Sequence, residues 1–526
     1  MKKIIDHWTF ESPPRKNQIE AFDWLETVSA KYIFLELPVG SGKSNIAVTY
    51  SKFLSNRGGD SFILTPQKIL QTQYENSFPN EIIASLYGKG NYPCASTKAT
   101  CDIGGALQQN KCPNCPYERA KAHAKSKPNV VLNYTIAMLL FNFTKVFERP
   151  RKLMVLDECH NIEDFLTEFN AVQITEVRAK KYGVKLTTAR TLKGALDWVG
   201  DIYLPAVSKY ANKFFNDNEH IFDKAGFELT ASDLKIVREY SGLQEHVEEL
   251  TNLVSESPDI LDNFYVLVHD KSSVKFKHLT GAINFHRILE PKAERFLFMS
   301  STILNYQTFC KDIGVDPKES AFLSLGSEFP VENRPVFYIP KMKMNMGWNQ
   351  PENSDKRENM ITGIKNLLDI HKEDSGIIHT ASFQVAQWIV ESLDDVDHII
   401  MHHNPSSGDN RNDVINAFMK SKKPTILISP SITEGLDFKE DLSRFAIIAK
   451  IPFPQLGDQW IKRRQEISNE WYLRRTIISV IQSTGRIVRS SSDWGHTYIL
   501  DSSFDYLFNE TKHMIPTWWK EATRKI

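Results

Sequence analysis

A chain of 526 residues with 41% apolar side chains is longer than one hydrophobic core usually supports, so roughly two to four domains are expected. Its 64 basic and 64 acidic residues cancel, which excludes a global positive field and leaves local patches to hold any polyanion. Six cysteines exclude a disulfide scaffold, and MKKIIDHWTF has no apolar stretch of signal-peptide length, so a soluble cytoplasmic protein with no membrane partner is expected.

From Tyr32 onward, short apolar runs (YIFLEL, SFILT, NVVLNY, KLMVLD) alternate with amphipathic stretches, the pattern of a parallel α/β sheet. The first run leads into LELPVGSGKS, which precedes the helical pattern NIAVTYSKFL. That context is the one a phosphate-binding loop requires: backbone N–H groups of Val39, Gly40, Ser41 and Gly42 cradle phosphates at a helix N-terminus. Lys43 then reaches the β- and γ-phosphates, and the Ser44 hydroxyl takes a Mg²⁺ position. Position 37, where the strict pattern has Gly, is Leu.

The stretch 91–116, rich in Gly, Pro, Asn and Gln, interrupts the alternation with Cys94, Cys101, Cys112 and Cys115. The gaps of 6, 10 and 2 residues contain one close pair. A zinc ribbon supplies two, so the spacing suits a four-thiolate cluster better, with zinc as the alternative. Farther on, KLMVLDECH sets two carboxylates at a strand end: Asp157 suits a Mg²⁺ ligand and Glu158 the base that orients the attacking water, while His160 suits a link to a second domain.

Residues 165–289 change character, as in Ile236, Tyr240, Leu243, Val247, Leu250 and Val254, which step along one helix face. FLFMSSTIL returns to sheet, and a second α/β series follows in GIIHTAS, HIIMHHN, TILISPS, FAIIAKIPF and HTYILD. In QSTGRIVRS the spacing predicts one helix face for Gln482, Arg486 and Arg489, able to stabilise a transferring phosphoryl group. Gly485 within it costs a helix about 1 kcal/mol, which favours a site of close approach.

Taken in order, these segments resemble the motifs of superfamily 2 helicases: ELPVGSGKS motif I, TPQKILQTQY Ia, LDECHNIED II, FMSSTIL III, GIIHTASF IV, SPSITEGLDF V and QSTGRIVRS VI. The cysteine insertion between Ia and II, the helical insertion between II and III, and IAKIPFP after motif V are similar to the XPD/DinG family of iron–sulfur DNA helicases. The resemblance implies an α/β fold of two RecA-like parallel-sheet domains: residues 1–90, 117–164 and 290–315 form the first and 316–526 the second. An iron–sulfur insertion at 91–116 and a helical arch-like insertion at 165–289 interrupt them. It implies ATP, Mg²⁺ and a [4Fe–4S] cluster on the four cysteines. Gln18, three after Arg15, would read adenine, and Gly435 and Asp437 would face the nucleotide. Thr65, Asn133, Tyr134, Ser301, Thr380, Ser382 and Thr433 would meet a single strand, Tyr134 by stacking. The implied protein is a monomer that moves 5′ to 3′ on single-stranded and forked DNA in repair or replication, with a protein loading partner as a possibility the residues do not identify. The competing readings are a zinc-containing nucleic-acid-binding ATPase switch and an RNA-directed remodeller. Departures from the family pattern are Cys159 where Ala or Gly is commoner, Asp501-Ser-Ser503 where an Arg-bearing segment is frequent, and a short cluster segment.

Overall fold

The computed structural model describes residues 2–526 apart from 79–80, 82, 97–98, 107–113, 225–227, 270–271, 404–409, 431–439, 486, 489 and 491. Apolar runs without polar alternation make strands covered on both faces, and Tyr32–Glu36 and Ser61–Thr65 are buried at every residue. The first sheet has seven parallel strands in the order Ser320–Ser324, Tyr32–Glu36, Ala293–Ser300, Arg151–Asp157, Ser61–Thr65, Asn129–Asn133, Ile83–Ser85. Phe34, Phe62, Phe296 and Phe298 build the core on one face; Ile33, Leu35, Ile63 and Val155 build it on the other. Because parallel strands all point one way, their carboxyl ends share one edge, and the loops after Glu36, Asp157 and Ser300 meet there.

The second sheet is also seven parallel strands: Ile399–His402, Thr425–Ser429, Gly376–His379, Phe445–Ile448, His496–Asp501, Val336–Met342, Thr523–Lys525. The strand Ser320–Ser324, which the expected boundary at 315/316 assigns to the second unit, pairs with Tyr32–Glu36 at the edge of the first sheet. The first unit therefore extends past it.

Within the first unit, between the strands Arg151–Asp157 and Ala293–Ser300, the chain inserts long helices, Leu204–Phe222 and Ala231–Ser255. The insertion is not purely helical. Val172–Thr175, Ser273–His278 and Tyr265–His269 form an antiparallel sheet in that order. In Ser273–His278, Val274 and Phe276 enter the local core, and on the other face Lys277 is covered by the Trp460 ring. No helix among the described residues is long and apolar enough to cross a membrane.

Candidate nucleotide site and the contact between the two sheets

The strand Tyr32–Glu36 runs into a loop whose Gly40 (φ 80°) and Gly42 (φ 75°) are left-handed, a conformation that glycine adopts without steric cost. A Cβ at 42 would lie 2.3 Å from Gln18 Nε2, so the Gln18 amide could keep its place only beside glycine. Arg15 donates to the Gly40 carbonyl and Gln18 Nε2 to the Gly42 carbonyl at 3.2 Å, while Gln18 Oε1 accepts from the Arg15 backbone at 2.8 Å. Both side chains thus brace the loop. The Ser41 hydroxyl is buried in it without a hydrogen-bond partner, a donor suited to a phosphate oxygen. Helix Lys43–Ser55 begins at the loop's end and presents its N-terminus to the same place.

Lys43 is nearly buried, with Nζ 3.7 Å from Glu158 Oε1. Asp157 accepts from the Tyr74 hydroxyl at 3.0 Å and from the Glu158 backbone N–H at 3.1 Å. Burial, and then the neighbouring Glu158, push its carboxyl up to about 6. A buried carboxylate held against its own ionisation is relieved by a hard dication, so Asp157 with the Ser44 hydroxyl suits Mg²⁺. Glu158 is left-handed (φ 48°, ψ 48°), a strained backbone for a non-glycine residue at the strand's end.

The segment after strand Ala293–Ser300 is gripped from several sides. His160 Nδ1 lies 2.8 Å from Ser300 Oγ. Glu36, buried at the end of the strand that enters the phosphate loop, accepts from Ile303 N at 2.8 Å, Leu304 N at 2.6 Å and Ser324 Oγ at 2.7 Å. Burial pushes its carboxyl up to about 7 against those donors. From the second unit, Gln482 Nε2 donates to Ser301 Oγ at 3.0 Å and Thr302 Oγ1 at 2.8 Å. Gly485 completes the approach: a Cβ there would stand 3.2 Å from Val39 Cγ2 of the phosphate loop.

Helix Asn469–Thr484 ends at Gly485. Of the single helix face expected for Gln482, Arg486 and Arg489, only Gln482 lies within the described residues. Arg486 and Arg489 lie outside the described residues, as do Thr433, Gly435 and Asp437.

Of the remaining strand-contact candidates, Tyr134 requires correction. Its ring is fully buried in the core of the first sheet and its hydroxyl donates to the Asp157 carbonyl at 2.7 Å, so no base can stack on it. Asn133 caps the helix Tyr134–Phe143 by accepting from Ile136 N at 2.9 Å. Thr65 and Thr380 are buried and donate to the Gln67 and Ser382 carbonyls. Ser301 is buried under Gln482, and Ser382 is partly exposed at the start of helix Phe383–Ser392.

Cys94, Cys101 and Cys115 are buried, and the Cys101 and Cys115 sulfurs are 3.6 Å apart. Burial and then Cys115 push the Cys101 thiol up to about 12. Cys112 lies outside the described residues, and among the described residues no three His, Cys, Asp or Glu side chains are grouped to hold a metal ion.

Sequence reasoning missed a second charged site. Arg464 Nη2 lies 2.6 Å from Glu163 and 2.7 Å from Asp312; Arg474 also donates to Asp312; Arg475 forms a two-pronged pair with Asp164 at 2.7 and 2.6 Å. Trp471 Nε1 donates to Glu163 at 2.8 Å. The carboxylates come from the helices following Glu158 and Ser301, and the arginines from two helices of the second unit.

Comparison with known proteins agrees with this arrangement. The model of the helicase C-terminal domain matches residues 364–522, and that of the type III restriction enzyme res subunit matches residues 11–190. The chain is 21% identical over 509 residues to the ATP-dependent DNA helicase CHL1 of Yarrowia lipolytica, covering 78% of this chain and 62% of that protein. It is 25% identical over 244 residues to the ATP-dependent DNA helicase DinG of Photobacterium profundum, covering 41% and 32%. The chain spans less than two thirds of the length of these curated relatives. In fold it is similar to S. tokodaii Xpd4, with a TM-score of 0.59 at 14% identity over 97% of this chain and 100% of that one.

Proposed function

We propose, from the chain's membership of the XPD/DinG-like superfamily 2 helicases, that it hydrolyses ATP to move along single-stranded DNA and part a duplex. The observation that carries this reading is the meeting of both units at one strand-end edge: Lys43, Asp157 and Glu158 from the first, Gln482 and Gly485 from the second. Bound Mg²⁺ supplies charge neutralisation at the phosphates. The protein's own groups do the rest: the loop amides and Lys43 hold the phosphates, Glu158 orients water, and Ser300–Thr302 ties the reacting edge to the second unit. Arg486, directly after Gly485, and Arg489, three residues further on, complete the charge stabilisation.

Movement is 5′ to 3′ on forked substrates, carried out by a monomer in the cytoplasm. Cys94, Cys101, Cys112 and Cys115 hold a [4Fe–4S] cluster, a reading supported by the buried Cys101–Cys115 pair. Strand displacement with 5′-tailed DNA, 3′-tailed DNA and RNA tests the function: unwinding of the 5′-tailed DNA alone is expected, and ATP hydrolysis indifferent to every strand would overturn it. Anaerobically purified protein should be brown, with about four irons per chain. One zinc per colourless chain would replace the cluster with the zinc reading.

A further inference from the structure

On the second sheet, Gly376–His379 and Ile399–His402 flank Thr425–Ser429 and run parallel to it. Their carboxyl ends open on one edge, where parallel α/β sheets take ligands. A depression of about 440 Å³ lies there, outside every site described above, between helix Phe383–Ser392, His402 and the loop bearing Trp348.

Aromatic rings dominate its wall. Trp348 and Trp388 pack with centroids 5.0 Å apart, and Phe383, the residue after Ser382, is 45% exposed at its rim. The polar lining is mostly neutral amide, from Asn349, Gln384 and Gln387, and the single carboxylate, Glu391, already accepts from Gln387 at 2.8 Å. His402 Nδ1 faces the Ile428 carbonyl at 3.1 Å and so carries its proton on that nitrogen, which makes Nε2 an acceptor. Among the described residues no Lys or Arg lines the depression, so its chemistry suits a neutral flat ring with donors and acceptors on its edge and not a phosphate.

We propose that this depression is a nucleobase pocket that takes one unstacked base of the translocated strand, with Phe383 as its stacking face and the amides and His402 on the base edge. It rests on the reading of the chain as a single-strand translocase. Base–aromatic stacking tolerates every base, which suits a motor that must pass over any sequence.

The test titrates the full chain with a labelled oligothymidine and with an abasic strand of equal length at one fixed salt concentration. The wild type should prefer the thymidine strand. Phe383→Ala should weaken it by about 5- to 100-fold and the abasic strand by less than about twofold. Phe383→Tyr should restore binding, whereas Phe383→Leu, which keeps apolar bulk without a ring face, should not. Unchanged thymidine binding in Phe383→Ala, equal losses on both strands, or full rescue by leucine would overturn the pocket while leaving strand-stimulated ATP hydrolysis standing. A wild type that binds neither strand would overturn the pocket and the translocase reading together.

Discussion

In the nucleotide cleft, Lys43 Nζ lies 3.7 Å from Glu158 Oε1, and burial holds Asp157 up at about 6. At the contact between the two units, Glu163, Asp164 and Asp312 face Arg464, Arg474 and Arg475. Here Asp164 stays below the usual carboxylate range although burial opposes it, because Arg475 lies against it. Glu163 is pushed up to about 7 by burial and by Asp312, with the arginines working the other way. Both regions bury carboxylates: Asp157 accepts from a hydroxyl and a backbone amide, whereas Asp164 and Asp312 accept from guanidinium groups. The first arrangement suits a ligand that brings positive charge to Asp157, whereas a matched set holds two parts of the chain together.

The largest expected effect breaks the matched set. Asp312→Ala leaves the buried Arg474 without the carboxylate it donates to and Arg464 with Glu163 alone, and breaking a buried pair costs about 3–5 kcal/mol. A clear drop in the urea midpoint is expected; an unchanged midpoint would mean that the arginines are not held by this pairing. In the cleft, Glu158→Gln should leave ATP affinity near that of the wild type and lower turnover by about 10²- to 10⁴-fold, the usual share of a general base. Equal losses in affinity and turnover would make Glu158 a ligand for the nucleotide complex instead.

Opposite signs of stability sharpen the contrast. Because the folded-state pKa of Asp157 is raised to about 6, the folded protein carries no penalty below the unfolded value near 4 and loses stability as pH rises through 6. Without Mg²⁺, Asp157→Asn should therefore be more stable than the wild type at pH 8, by up to about 3 kcal/mol. The advantage should vanish near pH 4. Thermal unfolding in chelator at both pH values measures it, and a variant less stable than the wild type at pH 8 would show that burial does not hold Asp157 against its ionisation.

Much of this was legible in the chain. Uninterrupted apolar runs marked the buried strands, and the phosphate loop could be read because Gly40, Gly42 and Lys43 are adjacent in sequence. Partners distant in sequence could not be read. Glu163 and Arg464 are 301 positions apart, and only the docking of two helices shows that they meet. The role of Glu36 could not be read either, because its backbone donors, Ile303 and Leu304, lie 267 and 268 positions away. The edge strand Ser320–Ser324 is half-covered and short, so no buried pattern announced it. Tyr134 misled because a tyrosine beside an asparagine suits a strand contact equally well as it suits a core position that needs one hydroxyl acceptor.

The smallest expected effect concerns Gln482, which joins the two regions. Its amide reaches Ser301 and Thr302, and the next two residues give their backbone N–H groups to Glu36 at the mouth of the phosphate loop. One short segment is thus held from the second unit by an amide and from the first by a carboxylate. Gln482→Ala removes two neutral hydrogen bonds, each contributing about 0.5–1.5 kcal/mol, and leaves the ion-paired contact between the units intact. The fold should hold, with a melting temperature close to that of the wild type. If the segment transmits the position of the second unit to the cleft, kcat for ATP should fall by about fivefold to tenfold while KM stays within about twofold, since the alignment lost is one required at the transition state and not for binding. Gln482→Glu should fail to restore it, because a carboxylate cannot donate to the two hydroxyls and adds charge in a buried place. A rise in KM at constant kcat would assign Gln482 to nucleotide binding, and a large drop in melting temperature would make it part of the structural contact beside Asp312.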